Sequence, residues 1–258
     1  MPGFETFSAA VVLWIVIVIA IAAWVQGALG LGFPMVATPL IALVTDMKSA
    51  VVLVLLPCVA AIVANIVKGG PLRPVLADFW MMPFYALLGA VIGTYFFIAF
   101  PAFPFAMLLA VVLLVYLNLD RLGKTDWPAI RRHKALFGAL FGMIAGISEG
   151  TANAAAPPLI VYYLALGLSP VSLVQALNIC FITGKATQFA TFAASGGVSS
   201  AQWLVTLPLA AVSGVSVLYG IRTRSRIPAA TYRYWLRYAL FAIALVLLGQ
   251  YAYRAWAG

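Results

Sequence analysis

The sequence predicts an all-α polytopic membrane protein made of two inverted repeats, with about eight full spanning helices and two short ones that reach half the membrane. Three observations predict it. Hydrophobic residues are 65% of the 258, charged residues 8%, and the mean hydropathy is +1.10. So apolar a chain has too little polar surface to coat a soluble domain of this length. Two apolar runs, spaced by roughly 119 residues, are interrupted in the same manner. The first interruption is Gln26-Gly27-Ala28-Leu29-Gly30-Leu31-Gly32-Phe33-Pro34 leading into Pro39-Leu40-Ile41; the second is Gly146-Ile147-Ser148-Glu149-Gly150-Thr151-Ala152-Asn153 leading into Pro158-Leu159-Ile160. Paired Gly/Pro interruptions at matching places of two halves point to a transport site. The third observation is the uneven charge of the loops.

The elements follow in order. Residues Met1 to Phe7 lack the basic patch of a secretory signal, and the apolar run after them is long enough to cross, so 8–31 is read as a retained first helix. The first break then leads into a short helix over 35–45, followed by longer ones over 48–67, 76–98 and 102–119. The second half repeats the series with helices over 134–154, 157–167 (again short), 170–195, 200–221 and 232–253. Downstream of the breaks, Ser49-Ala50 faces Ser169-Pro170, and Pro83-x5-Gly89 recurs as Pro208-x5-Gly214. The division is therefore a first transmembrane repeat over 1–119, a basic connector over 120–133 and a second repeat over 134–258.

Loop charge sets the orientation. Arg121, Lys124, Arg131, Arg132 and Lys134 fill one connector, five arginines lie between Arg222 and Arg237, and Lys68 and Arg73 mark a third loop. These are expected to be cytoplasmic, whereas 99–103 and 195–200 carry no charge and are expected on the other side. Matching loops on opposite faces are what inverted repeats require. A net charge of +9 would suggest nucleic acid in a soluble protein; here it is topological, with anionic-lipid binding secondary. Trp80, Trp127, Trp203 and Trp235 lie near helix ends, as interfacial anchors do. By the same parity both termini fall outside, against which Arg254 weighs. Cys58 and Cys180 lie in apolar runs and say nothing of compartment; a disulfide needs the halves to pack them together.

The breaks suit an anion. A helix that begins inside the membrane presents unpaired N–H groups and the positive end of its dipole. Pro34, Pro157 and Pro158 suit helix starts, and Gly27, Gly30, Gly32, Gly146 and Gly150 permit a bent backbone and close approach of a ligand. The competing reading of the glycines is packing, since Gly138, Gly142, Gly146 and Gly150 form an i, i+4 stripe. Gln175, Asn178 and Lys185 fall within roughly an 80° arc of one helix. Lys185 is the basic residue that no loop accounts for, and such residues by default serve function. Snorkelling, or a purely structural pair with Glu149, is its alternative. Glu149 could orient Lys185, carry a coupling proton or sit protonated against backbone. Ser148, Thr151 and Asn153 are candidate donors to oxyanions, with capping as the ordinary role. Gln26 and Asn65 are the first-half candidates.

With its Gly-rich break followed by Pro-Leu-Ile in both halves, its short helices ending before Ser49 and Ser169, and its small-residue helices from Pro83 and Pro208, the chain resembles the sulfite exporter TauE/SafE family. The resemblance implies a multi-pass protein of the bacterial inner membrane that moves sulfite, an organosulfonate or a related anion. Many members have a glycine triplet where this chain has Glu149-Gly150-Thr151, so the family does not fix the substrate. The expectation is a secondary transporter of a small anion, alternating access at a midplane site, in contact with lipid and without a cofactor. A coupling proton or cation and an oligomer are left open. An anion channel, and an enzyme acting on a lipid-borne substrate through Ser148 or Glu149, are the alternatives. With His133 the sole histidine, a His-based metal or catalytic cluster has no material.

Overall fold

The computed structural model describes residues 7–118, 127–196, 198–224, 238, 241 and 244–249. Among these residues all regular structure is helical. In order, the helices are α1 (Ala9–Leu29), α2 (Phe33–Ala42), α3 (Met47–Lys68), α4 (Arg73–Phe79), α5 (Met81–Ala99), α6 (Phe105–Leu117), α7 (Pro128–Arg132), α8 (Lys134–Ala152), α9 (Ala156–Ala165), α10 (Pro170–Ala194) and α11 (Ser200–Thr223). Residues 244–249 are also helical. Apart from Tyr238 and Phe241, the rest of the expected helix over 232–253, Trp235 included, lies outside the described residues, as do Arg121, Lys124 and Arg254.

Local chemistry explains most boundaries. Ser8, Asp46, Ser169 and Ser199 each accept a backbone N–H from the first turn of α1, α3, α10 and α11, and Ser199 and Gln202 complete a reciprocal capping box. Pro34 and Pro157 stand in the first turns of α2 and α9, where a missing N–H breaks no bond. Both breaks are real: three residues separate α1 from α2 and α8 from α9.

Two expectations are corrected. The helix foreseen over 76–98 is two, α4 and α5, meeting at Trp80. The basic connector holds a short helix, α7, which starts at Pro128. Among the described residues five helices are both long and apolar enough to cross by length and composition: α1, α3, α5, α8 and 202–223 of α11. Polar residues along the 25-residue α10 keep it out of that group, and α6 begins only after Pro104 and runs 13 residues.

The two halves of the sequence interlock. The most extensive helix contacts are α5 with α8 and α1 with α11, each joining one half to the other. Helix α3 lies against α11 and α10 against α5, while α3 and α10 touch each other in the middle. Exchanging α1 for α8, α2 for α9, α3 for α10 and α5 for α11 reproduces this pattern of contacts. Small residues permit it, because lipid gives helices no hydrophobic drive to associate and close van der Waals approach must do so instead. A Cβ on Gly27 would come within 2.2 Å of Val217 O, and one on Gly146 within 2.1 Å of Ala86 O. Gly150 is seated against Gly93 and Thr94 in the same manner. These three glycines therefore approach a neighbouring helix rather than a ligand, which is the packing alternative.

Candidate functional site

The first break turns on Gly30 and Gly32, both in the left-handed region at φ 84° and 109°. Glycine is needed there because a side chain would be strained. The Gly30 N–H closes α1 by donating to Gln26 O at 2.7 Å. The Gln26 side chain then reaches across the gap, its Oε1 accepting from Phe33 N, the start of α2, at 3.0 Å. Its Nε2 donates to Asn178 Oδ1 at 3.0 Å, and Asn178 Nδ2 donates to Gly30 O at 2.7 Å. Asn65 Nδ2 donates to Gln26 O at 3.0 Å. Arg224, just past α11, covers the end of α1: Nε donates to Gly27 O and Ala28 O, and Nη2 to Gly27 O and Asn65 Oδ1. A cation suits that helix C-terminus, whose last carbonyls have no partner within the helix. Desolvation lowers the Arg224 pKa from its ordinary value, and arginine keeps its charge in proteins.

The second break has the same plan with charged parts. Asn153, at φ 59°, ends α8 by donating its N–H to Glu149 O at 3.0 Å. Glu149 Oε2 accepts from Ala155 N at 3.1 Å, as Gln26 does from Phe33. The other oxygen, Oε1, pairs with Lys185 Nζ at 2.6 Å, both side chains being buried. Lys185 also donates to Asn153 Oδ1 and to Gln188 Oε1, so three acceptors surround an ammonium that has three donors. Gln188 Nε2 donates to Glu149 O at 3.4 Å, and Asn153 Nδ2 to Thr38 Oγ1 on α2 at 2.8 Å. Burying each ion costs several kcal/mol, which only close pairing and complete hydrogen bonding offset.

The true register of the two halves emerges from these bonds. Gln26 and Glu149, Gly30 and Asn153, Pro34 and Pro157, Asn65 and Gln188, and the caps Asp46 and Ser169 are all 123 positions apart. This spacing replaces the roughly 119 residues read from the glycines, and it sets Lys185 opposite Ile62. The glycines of the two breaks do not correspond, because the left-handed position at the second break is held by Asn153 and not by a glycine.

The other candidates divide. Gln175 ties α10 to the end of α3, donating to Ile66 O and Gly70 O. Thr151 bonds Ile147 O one turn back, and the half-buried Ser148 joins the break through its carbonyl, which accepts from Ala154 N. Pro157 and Pro158 carry no N–H, so α9 offers an anion fewer donors than an ordinary helix start. Gln188, Thr38 and Arg224 were missed. Gln188 lies one turn beyond Lys185 on the same polar stripe and was legible there; Arg224 was indistinguishable from the other arginines of its loop. Cys58 and Cys180 are both free thiols, each buried.

Two breaks, each bridged by side chains, are both bonded to one polar helix, α10. Asn178 and Lys185 are seven residues apart, about 10 Å along α10, so the breaks straddle its middle. The comparisons give this geometry a family. Residues 15–247, which include both breaks, all of α10 and Arg224, match the family described as Sulfite exporter TauE/SafE. Neither a curated protein nor a solved structure matches the chain. The chain belongs to the sulfite exporter TauE/SafE family, and is accordingly a multi-pass membrane transporter of sulfur anions rather than an enzyme.

Proposed function

We propose that the protein carries sulfite, an organosulfonate or a related sulfur oxyanion across the bacterial inner membrane, by alternating access to a site between the two breaks. The observation that carries this reading is the placement of a buried cation, Lys185, at one break and of Asn178 at the other, on a single helix. Lys185 has all its donors engaged by Glu149, Asn153 and Gln188, so an anion must displace one of them. Glu149 is the partner it replaces, since like charges repel. The displaced carboxylate, buried without a counter-charge, then takes a proton or a cation, which couples the anion to a second ion. Glu149→Gln should remove the pH dependence of transport, and an unchanged pH profile would leave Glu149 a structural part only.

The alternation is supported by the exchange pattern of helix contacts and by loop charge, which together suit inverted repeats over 1–119 and 134–258. Cysteines introduced near Lys124 and Arg224 should react with an impermeant thiol reagent from the cytoplasmic face, and cysteines at 195–200 from the other. Labelling of all three from one side would refute the inversion. For the substrate, purified protein should show a saturable thermal shift with sulfite, thiosulfate or a sulfonate, and counterflow in proteoliposomes. Shifts with small carboxylates alone would move the substrate class, while flux without saturation or counterflow would make the protein a channel.

A further inference from the structure

The two breaks share a motif whose cations come from different places. At each, a buried carboxamide donates to the carbonyl of the residue four before the left-handed turn: Asn65 to Gln26 O at 3.0 Å, Gln188 to Glu149 O at 3.4 Å. The carboxamide oxygen accepts from a cation at 3.1 Å in both cases, Arg224 Nη2 at the first break and Lys185 Nζ at the second. The two cations differ in what balances them. Lys185 has Glu149, but the counterpart of Glu149 is the neutral Gln26, and no carboxylate among the described residues pairs with Arg224. Among the described residues the guanidinium rests on neutral oxygens. Its Nη1, with two N–H groups, has no acceptor among the described residues.

We propose that Arg224 is the second anion-binding cation of the translocation path and contacts the oxyanion when it stands at the first break. This inference rests on the anion-transport reading above. A half-buried cation that no described carboxylate balances is relieved by an arriving anion without first giving up a described ion pair, whereas Lys185 must first release Glu149. The planar fork of arginine also suits two oxygens of one sulfur oxyanion, where an ammonium is a point charge. The path would thus receive its substrate on a guanidinium at one end and on an ammonium at the other. Capping of α1 by Arg224 does not require the charge to stand unpaired, so the two roles separate experimentally.

The test uses sulfite as the probe, with purified full-length protein in proteoliposomes of known orientation. Arg224→Gln keeps an N–H donor for Gly27 O and removes the charge. It should raise the KM for sulfite by about tenfold or more at the face bearing the 222–237 loop, with the opposite face and the Tm little changed. Arg224→Lys should give a smaller rise, at that face only, and serves as the readout should Arg224→Gln fail to fold. Wild-type KM at both faces in either folded variant would overturn the inference and leave Arg224 a cap of α1. Absence of sulfite and sulfonate transport in the wild type would overturn the anion reading, and this inference with it.

Discussion

Lys185→Ala should abolish transport and lower stability by about 3 to 5 kcal/mol, the usual cost of removing one partner of a buried ion pair. The substitution leaves Glu149 without its counter-charge and only 1% exposed, with Asn153 and Gln188 each short of a donor. Stability and activity should then separate in a double variant. Replacing Lys185 with Met and Glu149 with Gln exchanges the pair for neutral side chains of similar volume, a change that is often neutral for stability. The double variant should therefore melt near the wild type in detergent while still failing to transport. A single variant as stable as the wild type would show that the pair does not form, and transport by the double variant would remove Lys185 from the path.

The second large effect belongs to the glycines of the helix contacts. Gly146→Ala should cost about 1 to 3 kcal/mol or more, the range for overpacking, and Gly27→Ala about the same. The added methyl would meet backbone atoms in both, Ala86 O and Ala90 N for the first and Val217 O for the second, and backbone cannot rotate aside. The helices must move apart instead. Gly214→Ala is the control, because nothing lies within 4 Å of its Cβ position, and it should fall within about 0.5 kcal/mol of wild type. Equal melting temperatures for all three variants would show that these contacts do not hold the bundle together.

The placement of the helices was legible because lipid enforces a simple rule, that backbone groups be satisfied within apolar segments of set length. Both breaks, the short helices behind them and the polar stripe of α10 could be read that way. What could not be read was pairing between segments. Gln26, Asn153 and Glu149 were recognised as polar residues at breaks, but their main work is to bridge the ends of successive helices, and that depends on a turn whose handedness two unlike residues, Gly30 and Asn153, both supply. The register of 123 residues is a property of hydrogen bonds, visible only once carbonyls have positions. Arg224 shows the converse limit: a residue counted as one charge in a basic loop is bonded to the end of α1, 197 residues from Gly27.

The interlocking of α1 with α11 has a consequence for how the protein is made. Gly27 leaves the ribosome 193 residues before Gly220, the backbone it must lie against. At ordinary rates of synthesis that is an interval of about 10 to 40 s. Gln26 waits 152 residues for Asn178, and until Gly220 follows the small-residue face of α1 must be covered by lipid or by a protein that attends insertion. The bundle cannot close one half at a time. Its first helix is among the last to be locked in place.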